Sequence, residues 1–136
     1  MPDFNETIIS EFRANGGHVE TAGFGDSLVL LHTTGARSGE ARVNPLMSIA
    51  TDDGWLVVAS AGGAPRHPAW FHNLIAHPSA RVELGSGELV DVVATSLDGS
   101  DYDAAWAAFT ARSRAFESYA QRAGDREIPV VRLTRS

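Results

Sequence analysis

The sequence predicts a mainly β, α+β fold in which six antiparallel strands close, or partly close, into a barrel. Three observations carry this reading. Short apolar runs of strand length recur along the chain and are mostly joined by tight Gly- or Asp-containing turns. Helical spacing appears only near the start, in the middle and near the end, too rarely for a doubly wound parallel sheet. No strand–GxGxxG–helix unit and no P-loop occurs, so neither common nucleotide fold applies.

Each element follows from local signals. DFNETIISEFRANGG (3–17) spaces Phe4, Ile8, Ile9 and Phe12 as a helix does, with Asp3 or Asn5 as cap and Gly16-Gly17 as stop. SLVLLHTT (27–34) reads as a buried strand. GARSGE turns the chain into a returning strand, ARVNPLMSIATD (41–52), whose Pro45 marks an edge or a bulge. Asp52-Asp53-Gly54 leads into a third strand, WLVVASA (55–61). PAWFHNLIAH (68–77) reads as a short helix with Pro68 at its first position, ended before Pro78. ARVELGSGELVDVVATSL (80–97) alternates about GSG and forms a hairpin. SDYDAAWAAFTARSRAFESYA (100–120) is helical, capped by Ser100 or Asp101 with a break near Ser113, and IPVVRLTR (128–135) is the last strand.

Composition narrows the function classes. A chain of 136 residues with 43% hydrophobic and 21% charged residues reads as one globular domain, residues 1–136. No apolar run approaches the ~20 residues of a membrane span. The acidic first dozen residues do not resemble a targeting signal, and the absence of cysteine fits a cytoplasmic setting. A net charge of −6 argues against nucleic-acid binding. The charge is uneven, however: residues 34–81 hold four arginines (Arg37, Arg42, Arg66, Arg81) against three acids (Glu40, Asp52, Asp53). His67, His72 and His77 are five apart, about 140° around any helix, so no metal site is expected.

Two segments carry chemistry. TTGARSGEARVNPL (33–46) sets backbone N–H groups, the Ser38 hydroxyl and the guanidiniums of Arg37 and Arg42 around a tight turn, suited to a phosphate or to carboxylates. An ordinary hairpin with solvated arginines fits the same spacing. In SAGGAPRHPAWFHNL (60–74) the small residues at 61–64 let a flat ring or a phosphate chain approach the main chain. Trp70 and Asn73 share a helix face, and Trp70 also suits a plain core anchor.

Together these motifs resemble the deazaflavin-dependent nitroreductase family, split β-barrel proteins of the FMN-binding-like kind that use coenzyme F-420. The resemblance runs from EFRANGG through DREIPVVRL. It implies that Arg37, Ser38 and Arg42 grip the phosphate and acidic tail of the coenzyme. It sets Asn44, Pro45, Leu46 and Met47 beside the ring, with Ala59, Ser60, Ala61, Gly62, Gly63, Ala64 and Pro65 opposite and Trp70 and Asn73 closing the pocket. One departure is Ala36, where many relatives carry the first of two consecutive basic residues; Arg66 is a candidate to share the grip.

The implied chemistry is hydride transfer from the reduced coenzyme to a quinone, a nitro compound or an activated alkene such as an enone. Ser60 and Tyr119 are the candidate proton donors or orienters, and Phe116 with Tyr119 is placed to roof a flat acceptor. Two other readings stay open: a coenzyme carrier without turnover, and an oxidoreductase that holds FMN by its single phosphate. The expected setting is cytoplasmic, as a monomer or homodimer, with peripheral contact at the inner membrane face left open for quinone access.

Overall fold

The computed structural model describes residues 4–21, 24–36, 38–59, 68–112 and 128–136. In chain order it contains α1 (Phe4–Ala14), β1 (Leu28–Thr34), β2 (Ala41–Thr51), β3 (Gly54–Val58), α2 (Ala69–Ala76), β4 (Ser79–Glu83), β5 (Leu89–Ser96), α3 (Gly99–Arg112) and β6 (Val130–Arg135). The six strands pair antiparallel and close into a barrel in the order β1-β2-β3-β6-β5-β4. This is the architecture the sequence predicts.

Side-chain alternation divides the core into three parts. Val29 and Leu31 of β1 face the barrel interior with Trp55, Val57, Val82, Val92, Val131 and Leu133. Leu28 and Leu30, one residue out of phase, pack outside against Ile8 and Phe12 of α1. The continuous apolar run in β1 therefore reflects a strand covered on both faces. Val58 and Val130 likewise point outward, under Ala105 and Phe109 of α3. α2 inserts Trp70 and Leu74 into the interior cluster. None of the described helices is long and apolar enough to cross a membrane.

Pro45 is accommodated as a local edge. β2 pairs with β1 from Ala41 to Met47 but with β3 only from Ser48 to Thr51. On the β3 side Pro45 has no strand partner, so its missing N–H breaks no ladder there.

Several boundaries differ from the expectation for identifiable reasons. Pro68 is the N-cap of α2, not its first residue; its φ of −66° suits a helix but its ψ of 153° is extended. Asn5 lies inside α1, which begins at Phe4, and is not its cap. Ser100 and Asp101 fall within the first turn of α3 and do not cap it, because that helix starts at Gly99 and the Tyr102 N–H donates to Asp98 O. β3 stops at Val58, short of the expected residue 61. The Ala59 N–H donates to Pro129 O, and proline returns no N–H to continue the ladder. The expected break near Ser113 lies outside the described residues.

One polar cluster ties α1 to the barrel wall. Arg13 donates from Nε and Nη2 to Glu83 Oε2 and Oε1, both at 2.9 Å, and His32 Nε2 lies 2.9 Å from Oε1. Glu83 is buried. The Arg13 fork holds its carboxyl below the usual range, burial opposes this, and the bond to His32 adds to the lowering.

Two outcomes are expected. A carboxyl held low in the folded state stabilises the fold above its unfolded value, and that stability drains as pH falls towards the folded value. Wild type should therefore lose melting temperature as pH drops below roughly 4–5, and Glu83→Gln should flatten that acid limb while costing about 1.5–3 kcal/mol near neutrality. Thermal melts across pH check both parts. Gly54 is the second case: a Cβ there would sit 1.8 Å from Leu133 O. Gly54→Ala should cost ~3 kcal/mol or more by forcing β3 off β6, measured by denaturant unfolding.

Candidate functional site

β1 and β2 are joined by a turn built around one hydroxyl. The Gly35 N–H donates to Glu40 O at 2.8 Å, and the Gly39 N–H to Gly35 O at 3.0 Å. Ser38 Oγ accepts the Glu40 N–H at 3.1 Å, and a Cβ at Gly35 would lie only 2.6 Å from that oxygen. Glycine at 35 thus makes room for Ser38, whereas Gly39 is needed for its φ of 71°. Ser38 spends one lone pair on the turn and keeps its O–H free to donate.

α2 faces this turn. Asn73, buried, accepts the Ala36 N–H on Oδ1 at 3.0 Å, and its Nδ2 donates to Thr33 Oγ1 at 3.4 Å. Between the turn, the first residues of β2 and α2 lies a cavity of about 760 Å³. It brings together Ser38, Arg42, Asn44, Trp70 and Asn73 from the sequence-derived set. Arg42 and Asn44 are two apart on β2 and so project to one face. Arg42 Nη2 lies 3.2 Å from Glu40 Oε2, an ion pair with both partners largely exposed.

Other expected residues sit elsewhere. Leu46 packs on the barrel interior and Ala59 is fully buried within it. Met47 lines a separate pocket of about 210 Å³ with Phe24, Ile49 and Phe109. Pro45 occupies the local edge of β2. Arg37, Ser60, Ala61, Gly62, Gly63, Ala64, Pro65, Arg66, Phe116 and Tyr119 lie outside the described residues.

The cavity lining also includes Gly35, Ala36, Val43, Ala69 and His72, which sequence reasoning did not assign. A signal for two of them existed. Ala69, His72 and Asn73 are related by i, i+3 and i+4, the spacing of one helix face. His72 meets the Phe71 ring edge-on at 6.0 Å.

The donor set suits a phosphorylated aromatic coenzyme. A guanidinium and a hydroxyl proton offer charge-assisted bonds to an anion. Trp70 supplies a flat apolar wall, and the volume falls in the ordinary range for small-molecule sites, about 300–1,000 Å³. Fold and site together define a closed antiparallel barrel whose cavity sets anion donors beside a flat apolar wall.

Comparison with known proteins makes the family specific. Residues 6–135 match the model of the F420H(2)-dependent quinone reductases. An F420H(2)-dependent quinone reductase of Mycobacterium tuberculosis is 36% identical over 108 residues, 79% of this chain and 72% of that protein. A solved F420-H2 dependent reductase superimposes with a TM-score of 0.71 at 34% identity, covering 79% of this chain and 93% of the other. A structure described as a domain-swapped dimer gives a TM-score of 0.72 at 33% identity, covering 92% and 90%. The chain belongs to the F420H(2)-dependent quinone reductase family.

Arg42 and its neighbour give a paired expectation. Arg42→Ala should weaken F420 binding by about 1.5–3 kcal/mol, the range for a bond to a charged group. Glu40→Gln removes a carboxylate that competes for the same guanidinium, and should tighten binding by up to about fivefold at low salt. Equilibrium fluorescence titration measures both. Unchanged affinity in the two variants would remove Arg42 from the anion site.

Proposed function

We propose that the chain, as a single domain of residues 1–136, is a reductase that uses reduced F420 to convert a quinone to its quinol. The observation that carries this is the cavity between the Ser38–Arg42 turn and α2, in a chain whose relatives are named for that reaction. Ser38 and Arg42, with Arg37 from outside the described residues, hold the phosphate and acidic tail. Asn44 and the Trp70 wall flank the ring, with residues 60–65, outside the described residues, completing its bed. Bound there, the reduced deazaflavin supplies the hydride.

The remaining task of the protein is positioning. A flat acceptor held against the exposed ring face gains much of its rate from orientation alone, up to about 7–11 kcal/mol in favourable cases. Phe116 and Tyr119 roof the acceptor, and Ser60 or Tyr119 delivers or orients the proton that follows. Nitro compounds and enones, flat and electron-poor, fit the same roof. We place the protein in the cytoplasm, meeting quinone at the inner face of the membrane, and assign it a homodimer on the strength of the relative described as a domain-swapped dimer.

The test is oxidation of reduced F420 by menadione, followed by absorbance, alongside equilibrium binding of F420 and FMN. Turnover with F420 binding tighter than FMN by at least tenfold is expected. Tight F420 binding without turnover across quinones, nitro compounds and enones would make the protein a carrier. Preference for FMN would overturn the coenzyme assignment.

A further inference from the structure

We propose that Asn73 acts as a strut that sets the shape of the anion-gripping turn, and is therefore a positioning residue for the coenzyme through Ala36 and not a direct ligand of it. The inference deepens the coenzyme reading above and rests on it. Asn73 is buried, and both ends of its amide are engaged across a long stretch of sequence. Its Oδ1 accepts the Ala36 N–H at 3.0 Å, and its Nδ2 donates to Thr33 Oγ1 at 3.4 Å.

The Ala36 N–H fixes which way the amide faces. A backbone donor requires an acceptor, so Oδ1 must point at the turn and Nδ2 at Thr33. The oxygen of Asn73 is consequently spent, and only one Nδ2 proton remains for anything else. Ala36 lies between Gly35 and the arginine-bearing residues of the turn. Its amide is tethered from α2, while the Gly35 N–H and the Glu40 N–H are satisfied within the turn itself. Asn73 is thus the link, at Ala36, between the turn and the helix that supplies Trp70 to the opposite cavity wall.

Loss of the strut leaves the Ala36 N–H without its buried partner and frees the turn to move relative to α2. The damage falls on the coenzyme end of the site, since Ser38 rides on the turn and Arg42 follows it at the start of β2. It does not fall on the acceptor.

Three variants test this: Asn73→Leu, Asn73→Asp and Thr33→Val. Hydrogen exchange of the Ala36 amide, read by NMR on the coenzyme-free protein, reports the strut directly. Asn73→Leu should expose that amide and raise the F420 Kd about tenfold or more, equally at low and high salt, with the menadione KM unchanged. Thr33→Val removes only the longer bond; it should keep the amide protected and F420 affinity within about threefold. Asn73→Asp keeps an oxygen for the Ala36 N–H and should keep the amide protected, and any F420 loss from its added charge should shrink with salt.

An exposed Ala36 amide with unchanged F420 affinity in Asn73→Leu would overturn the proposal. So would weakened affinity with the amide still protected, which would make Asn73 a direct coenzyme contact. If Asn73→Leu does not fold, an unprotected Ala36 amide in folded Asn73→Asp overturns it instead. Failure of wild type to bind F420 would defeat the function above, while the amide measurement would still decide whether the strut exists.

Discussion

The β1–β4 seam governs the rest of the molecule. It closes the barrel through Leu30–Glu83, Leu31–Val82 and His32–Arg81, a shorter run of pairs than any other seam among the described strands. A short seam needs support, and the Arg13–Glu83–His32 cluster supplies it where α1 crosses the wall. Past His32 the two strands part, so the flank of Thr33 turned away from β2 has no strand partner. Asn73 reaches Thr33 there. α2 runs into β4 through only His77 and Pro78, so pairing β4 with β1 sets α2 beside the end of β1. Barrel closure and site construction are one geometric event.

The same ladder places the cationic side of the cavity. Register pairs Thr33 with Arg42 and Leu31 with Asn44, so the residues that follow the turn are aligned with those that precede it. The intervening turn is then held by its own hydrogen bonds and by the space left at Gly35. In a protein with a net charge of −6, Arg42 brings a positive charge to this end of the barrel. Glu40, two residues before Arg42, tempers that local field and supplies the guanidinium with a partner in the absence of an anion.

Much of this was legible in the sequence. Period-2 alternation and turn residues mark six strands, and tight connections leave an antiparallel closed sheet as the economical topology. Ser38, Arg42, Trp70 and Asn73 could be singled out because turn chemistry and helix-face spacing are local, whereas Asn44 entered only through the family resemblance. What could not be seen is set by tertiary contacts. Arg13 and Glu83 are 70 residues apart, and His32 lies 51 from Glu83, so no window contains their cluster. The tether from Asn73 to Ala36 spans 37 residues and is equally invisible. Boundaries missed for a related reason: β3 ends where Pro129, on another strand's approach, fails to donate.

Trp70 shows why core and site were hard to separate from the sequence. It is 6% exposed and packs in the barrel interior, so energetically it is a core residue, yet it also lines the cavity. The two roles reinforce each other. A wall that belongs to the core has its rotamer locked by packing on the far side, which gives a flat ligand a surface that does not yield. A reaction whose reactive atoms reside in the coenzyme asks the protein for placement above all. Such a site is built from residues that hold other residues, with Gly35 making room, Asn73 bracing and Trp70 backing the wall. Residue chemistry alone therefore resembles scaffolding, and the site emerges only when the barrel brings the turn and α2 face to face.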